Sequence, residues 1–305
     1  MKTFFFMIVL ILVSTGLALA QTGVKKRRPL PYEYGRVVIN NYSTKAYLAP
    51  VVFDHWLHRS NFTCRLCHVD IAFAMKAGAT GIRAADNMKG YYCGSCHNGK
   101  MQWQDRKVFE ACSKEYSHQD MSRCERCHSL GKDVKKEYDF SKFTEKFPKG
   151  RFGNGIDWVK AEDEGFIKPI GFLPGISVKR SPLKVQKDFS LEPKVQGMPQ
   201  IIFSHKKHIV WSGCELCHPE IFAGVKKGAT KYSMLENFEG KYCGACHGLV
   251  AFPLLDCQRC HTKPVEGTPE GQPEQTEPVK QGAIRQIQER LYAWPALADD
   301  SGVKR

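Results

Sequence analysis

Past its first twenty residues the sequence has no apolar run that approaches the roughly twenty residues a membrane-spanning helix needs. No cysteine follows Ala18-Leu19-Ala20, so nothing there marks a lipid anchor. Sustained hydrophobic periodicity is missing from residues 129–200 and sparse elsewhere, which predicts little regular secondary structure. The cysteines lack the spacing of a zinc site, which needs a second pair at a fixed distance. They also lack the alternating strand–helix setting of a redox dithiol.

What is present is a five-residue string repeated six times. It occurs as Cys64-Arg65-Leu66-Cys67-His68, Cys93-Gly94-Ser95-Cys96-His97, Cys124-Glu125-Arg126-Cys127-His128, Cys214-Glu215-Leu216-Cys217-His218, Cys243-Gly244-Ala245-Cys246-His247 and Cys257-Gln258-Arg259-Cys260-His261. Together these use all but one of the 13 cysteines. Cys-x-x-Cys-His is the attachment site of a covalent c-type haem. Two thiols one helical turn apart take the two vinyl groups, and the next imidazole binds iron. The sequence therefore predicts six haems c, with His68, His97, His128, His218, His247 and His261 as proximal ligands. The remaining cysteine, Cys112, reads as a buried free thiol, with an intermolecular disulfide or a thiol-bound ligand as the alternatives.

Lys2, the apolar run Phe4–Val13 and Ala18-Leu19-Ala20 have the three parts of a secretory signal peptide, with cleavage expected after Ala20. Export suits a cofactor that bacteria attach outside the cytoplasm, and the expected location is the periplasm, with an extracellular or outer-membrane-associated site as the alternative. The rest leaves roughly 50 residues or fewer per haem, too little for an ordinary core, so the macrocycles are expected to form the hydrophobic centre. The formal net charge is +14. Two propionates per haem offset most of it, so the basic balance does not point to nucleic acid.

Shifted by 150 residues, Phe53–His97 aligns without a gap on Phe203–His247, and 19 of the 45 positions are identical. This is an internal duplication. The copies part after the second haem motif, where the first has a longer insertion carrying Cys112 and His118. The expected organisation is a signal peptide at 1–20, an extension at 21–49, a three-haem unit at 50–128, a connector at 129–200, a second three-haem unit at 201–261, and a tail at 262–305. The connector, punctuated by prolines, reads as extended and partly ordered, with Gly155–Lys160 packed on haem edges or forming a simple turn. The tail is rich in Pro, Glu and Gln and ends in a short helical pattern over 281–294, a terminal cap or a partner-docking helix. Within the units, short helices are expected at Asp70–Lys76, Glu220–Lys227, Ala84–Lys89 and Met234–Glu239, with glycines closing them.

Five histidines lie outside the motifs: His55, His58, His118, His205 and His208. Four of them form Phe-x-His-x-x-His just ahead of the first motif of each copy. Phe53-Asp54-His55-Trp56-Leu57-His58 and Phe203-Ser204-His205-Lys206-Lys207-His208 resemble the opening of the cytochrome c3/c7 families, and residues 53–128 and 203–261 each resemble a c7-type three-haem domain. The resemblance implies a mainly α and irregular fold of two c7-like units packed around covalent low-spin haems, used for electron transfer in an anaerobically respiring bacterium. It also implies that His55 caps the iron of His68, His58 that of His97, His205 that of His218 and His208 that of His247, leaving His118 for His128. The family's distal histidine for the third haem, expected shortly before the second motif, is absent from both copies. The haem of His261 thus lacks a histidine partner. Met234, nine residues before Cys243, is the candidate substitute, with a lysine or an open position as the competing outcomes.

Three functional readings follow. The first is an electron carrier that makes and breaks no substrate bonds. Imidazole on both faces of iron leaves no substrate position and sets a low potential. Its expected partners are other redox proteins, inner-membrane quinol-oxidising and outer-membrane cytochromes. The second is a multihaem reductase of a small oxyanion or nitrogen compound, which needs one open iron; no lysine-terminated haem motif supports it. The third is a subunit of an extracellular or envelope-spanning assembly, in which self-assembly stacks the haems into a longer conductor.

Overall fold

The computed structural model describes residues 29–113, 121–129, 139–181, 187–193, 197–224, 226–248 and 250–263. The expected signal peptide, His118 and the tail helix lie outside these residues. From Leu30 onward the described residues belong to one compact unit, Leu30–Thr276.

The first repeat opens with an antiparallel ribbon of β1 (Arg36–Ile39) and β2 (Val51–Asp54), registered Val37 to Phe53 and Arg36 to Asp54. Arg36 Nε donates to Asp54 Oδ1 at 2.7 Å across that last pair, which pins the register. Helix α1 (His55–Arg59) follows directly, so the Phe-x-His-x-x-His string starts in the last two residues of β2 and puts both its histidines on the helix. Helix α2 (Ala84–Met88) is closed by Gly90 at φ +85° and leads into the second motif. A two-residue-strand hairpin, β3 (Gln102–Trp103) with β4 (Arg106–Lys107), turns through Gln104 and Asp105 at positive φ. It accounts for part of the insertion seen in the first copy.

Residues 139–181 differ from the extended connector the composition predicts. Helix α3 (Phe140–Phe143) is capped by Asp139, which accepts from the Ser141 and Lys142 amides. Helix α4 (Trp158–Asp163) is capped by Asp157, which accepts from Lys160 N. Phe140, Phe147, Ile156, Trp158, Ala161 and Ile167 join Trp56 in the hydrophobic core, with Leu57 and Trp211 packed against it. Trp56 meets Phe140 edge-to-face at 5.2 Å, as Trp158 meets Phe147 at 5.9 Å. Gly155–Lys160 thus serves a protein core: Trp158 is 8 % exposed and its indole N–H donates to Asn154 Oδ1.

The second repeat rebuilds the first. β5 (Phe189–Leu191) pairs with β6 (Gln200–Phe203), Phe189 opposite Phe203, and helix α5 (His205–Ser212) follows as α1 follows β2. Helix α6 (Met234–Phe238) starts with a capping box: Ser233 Oγ accepts from Glu236 N while Glu236 Oε2 accepts from Ser233 N. Helix α7 (Gly244–His247) carries the second motif, and β7 (His261–Lys263) adds to β6. The partner strand of β6 comes from residues before 200, so the repeat extends upstream of the gapless alignment.

The short helices expected at Asp70–Lys76 and Glu220–Lys227 do not form among the described residues there: 71–76 and 220–224 are turns and irregular chain, and Asp70 ends the helical stretch Leu66–Asp70. The chain there doubles back so that the carbonyls of Phe73 and Phe222 accept from the rings of His68 (2.8 Å) and His218 (2.6 Å), and Ala72 takes φ +67° to allow it. Among the described residues no helix is long and apolar enough to cross a membrane.

Candidate haem-binding sites

Five of the six attachment motifs close a tight turn, and the first, Cys64–His68, runs into the helical stretch Leu66–Asp70. The amides of Cys96, Cys127, Cys217, Cys246 and Cys260 donate back to the carbonyl of the first cysteine of the motif. The His97, His128, His218 and His247 amides reach those same carbonyls at 2.8–3.0 Å. One turn brings the two thiols and the imidazole to a common side, as thioether attachment requires. No disulfide joins any of the thirteen cysteines. Burial pushes the Cys67, Cys93 and Cys246 thiols up to about 12 and those of Cys127 and Cys243 up to about 11.

The histidines come together in pairs. The rings of His55 and His68 lie 6.5 Å apart and nearly parallel, at 9°. His58 and His97 are 6.3 Å apart, and His208 and His247 6.1 Å. Two imidazoles on one metal need two bonds of about 2 Å each, plus a ring radius of about 1.1 Å on either side, or about 6 Å between centroids. The three pairs fit that span. Among the described residues no three His, Cys, Asp or Glu side chains converge as in a tetrahedral metal site.

Phe53 explains the Phe-x-His-x-x-His string. Its ring meets His55 edge-on at 4.9 Å and His58 at 4.4 Å, and Phe203 meets His205 and His208 at the same two distances. One phenyl ring therefore sets the planes of both imidazoles in each copy.

The far side of each ring is tied to a backbone carbonyl. Nδ1 faces Gly35 O in His55 (2.5 Å), Ala49 O in His128 (2.6 Å), Ser204 O in His208 (2.8 Å), Phe252 O in His247 (2.9 Å) and Pro199 O in His261 (2.8 Å). His205 faces Lys187 O at 3.3 Å. A carbonyl can only accept, so Nδ1 carries the proton and Nε2 keeps the lone pair that binds a metal. His58 Nδ1 and His97 Nδ1 are enclosed facing the carbonyls of Asp54 and Phe109 without closing a good hydrogen bond. Burial lowers His55 and His247 to about 4 and His58 to about 3, and it lowers His68, His97 and His208 as well, so these rings are neutral at pH 7.

The carbonyl partners were not legible as site residues, yet they follow the repeat. Ala49 and Pro199 are 150 residues apart, as are the Val52 and Ile202 amides that donate to Cys127 O and Cys260 O. Gly35 and Lys187 are not, since the second copy has two fewer residues between strand and histidine. Arg126 and Arg259, which precede the second cysteine of both third motifs, stack on Phe109 and Phe252 at 4.9 and 5.3 Å. Those phenylalanines lie against His97 and His247 at 4.4 and 4.3 Å.

Met234 heads α6, 40 % exposed, and its Sδ accepts from Asn237 Nδ2 at 3.7 Å. The equivalent amide in the first copy, Asn87 Nδ2, meets Cys112 Sγ at 3.8 Å. A sulfur thus occupies the same amide in both copies, contributed by different parts of the chain. Burial raises the Cys112 thiol, with Asn87 pulling the other way.

Residues 51–129 and 201–262 match the family model of cytochrome c7 and related cytochrome c. Each repeat is a c7-like unit. The chain is a multihaem c-type cytochrome, and its c7-like units place it among electron-transfer proteins that carry covalent haem c. No curated protein matches it. Among solved structures, the C-terminal hexahaem fragment of GSU1996 is 25% identical over 74% of this chain and 96% of that one, with a TM-score of 0.23. The N-terminal hexahaem fragment is 23% identical over 75% and 98%, with a TM-score of 0.21.

Proposed function

We propose that this cytochrome is an exported six-haem electron carrier of anaerobic respiration, working in the periplasm between inner-membrane quinol-oxidising and outer-membrane redox proteins. The observation that carries the reading is the set of three imidazole pairs at 6.1–6.5 Å, each joining a motif histidine to a histidine of Phe-x-His-x-x-His. A haem supplies a one-electron couple at each site. The residues fill both axial positions, leave no place for a substrate, and hold the ring orientation through the Nδ1 contacts. A site that does not reorganise on reduction suits electron transfer, and two imidazoles keep the potential low.

In this reading the cysteines of all six motifs attach haem, His205 serves the iron of His218, and His118 that of His128. For the haem of His261 the ligand is Met234, whose thioether would raise that potential above the others. Tyr232, two residues before it, feels the charges of both Cys243 and Cys260, which supports this reading. Near-infrared magnetic circular dichroism tests the assignment. The expected spectrum shows five bis-imidazole haems and one imidazole–thioether haem, with no carbon monoxide binding on reduction. An open, carbon-monoxide-binding haem would favour a reductase instead.

A further inference from the structure

Arg59, the last residue of α1, belongs to the first c7-like unit but reaches the second. Its guanidinium stacks over Trp158 at 5.0 Å and Trp211 at 5.9 Å, and Nη1 donates to the Val250 carbonyl. Its charge acts on the Cys64 thiol and on the His247 ring, so it stands between an attachment residue of one unit and an axial histidine of the other. Cys64 in turn feels Cys217, and Cys246 feels both. Arg59 thus neighbours Cys64 of the first unit, which itself neighbours Cys217 and Cys246 of the second.

Among the described residues no carboxylate forms an ion pair with it. Arg180 and Arg259, which also bridge segments here, hold two each: Asp70 with Glu215, and Asp157 with Asp256. Glu162, whose charge Arg59 feels, commits Oε2 to the Trp211 indole N–H at 3.0 Å and stays out of ion-pair reach. A guanidinium carries five donors in a planar fork shaped for a carboxylate, and placing one against two indoles without an anion is costly. The second repeat has Ile209 at the corresponding position, so the feature belongs to the junction and not to the c7-like unit.

We propose that Arg59 binds the propionate carboxylate of a haem at this junction, contributed either by the haem attached at Cys64 or by the haem attached at Cys243 and Cys246. The inference rests on the six-haem reading. Charge-assisted hydrogen bonds from a residue of the first unit that also donates to the Val250 carbonyl of the second then tie that macrocycle into the junction between the units. The same positive charge favours the reduced form of that haem.

The test compares holoprotein from wild type, Arg59→Gln and Arg59→Lys, with individual haem potentials resolved by NMR-followed redox titration. Wild-type protein without haem at Cys64 and Cys243 would overturn the six-haem reading, and the proposal with it. With those haems in place, Arg59→Gln should lower the potential of a single haem, and Arg59→Lys, which keeps the charge, should recover most of the shift. A shift on the haem of His68 or of His247 identifies the propionate donor. Six unchanged potentials, or all six moving together in both variants, would overturn the proposal. If the Gln protein does not mature, the Lys protein decides: a smaller shift confined to one haem supports it, and none overturns it.

Discussion

Gly94 and Gly244 leave no room for a side chain. A Cβ on either would fall 1.9 Å from the Asn87 carbonyl oxygen or 1.7 Å from that of Asn237, far inside contact distance and against backbone. The residue after the first cysteine of both second motifs must therefore be glycine, because α2 or α6 is pressed against the turn that presents the thiols. Gly94→Ala should destabilise the protein by on the order of 1–3 kcal/mol and lower occupancy at Cys93 and Cys96, as measured by denaturant titration and haem-peptide mapping. Gly155→Ala, where nothing lies within 4 Å but φ is +78°, should cost about 1 kcal/mol and leave haem content unchanged. At this scale much of the site is legible in the sequence. Motif spacing, the paired histidines and the duplicated glycines are short-range patterns. The carbonyls of Gly35, Ala49 and Lys187 are not, because any residue supplies a carbonyl and only the strand pairing decides which one faces an imidazole.

At the scale of elements, residues 139–181 hold parts of the two c7-like units to one core. Thr63 N donates to Ile170 O at 3.0 Å and Arg65 Nη2 to Gly171 O at 2.7 Å. Arg180 meets Asp70 at 2.6 Å and Glu215 at 2.8 Å, one from each unit. The Asp70 side chain is fully enclosed and Arg180 is its ion-pair partner, so removing the guanidinium leaves a buried carboxylate uncompensated. Arg180→Ala should lower the denaturation midpoint clearly, whereas Lys160→Ala, which breaks the exposed pair to Glu164 at 3.6 Å, should leave it almost unchanged. Equal effects would mean that Asp70 has other support. The sequence concealed this element because Phe140, Phe147, Ile156, Ile167 and Leu173 recur at no fixed period; each is a single anchor in a loop or a one-turn helix.

For the molecule as a whole, the division of apolar burial is uneven. Among the described residues, only Trp56, Leu66, Leu216 and Leu254 of the buried hydrophobic side chains come from the c7-like units, and Trp56 is part of the intervening core. The units have almost no aliphatic centre of their own, which is the arrangement expected when covalent macrocycles supply it. Cleavage of the holoprotein between Leu173 and Lys187 should leave the pieces together on size exclusion, because Trp211, Arg59 and Arg259 still bind the opposite side of the core. Separation into two three-haem pieces would show that the core does not join them. The number of covalent haems decides whether the chain is a six-haem carrier. Intact-mass spectrometry of the mature holoprotein should show six covalent haem additions on a chain beginning near Gln21. Four or fewer, from cells with full haem-attachment machinery, would contradict it.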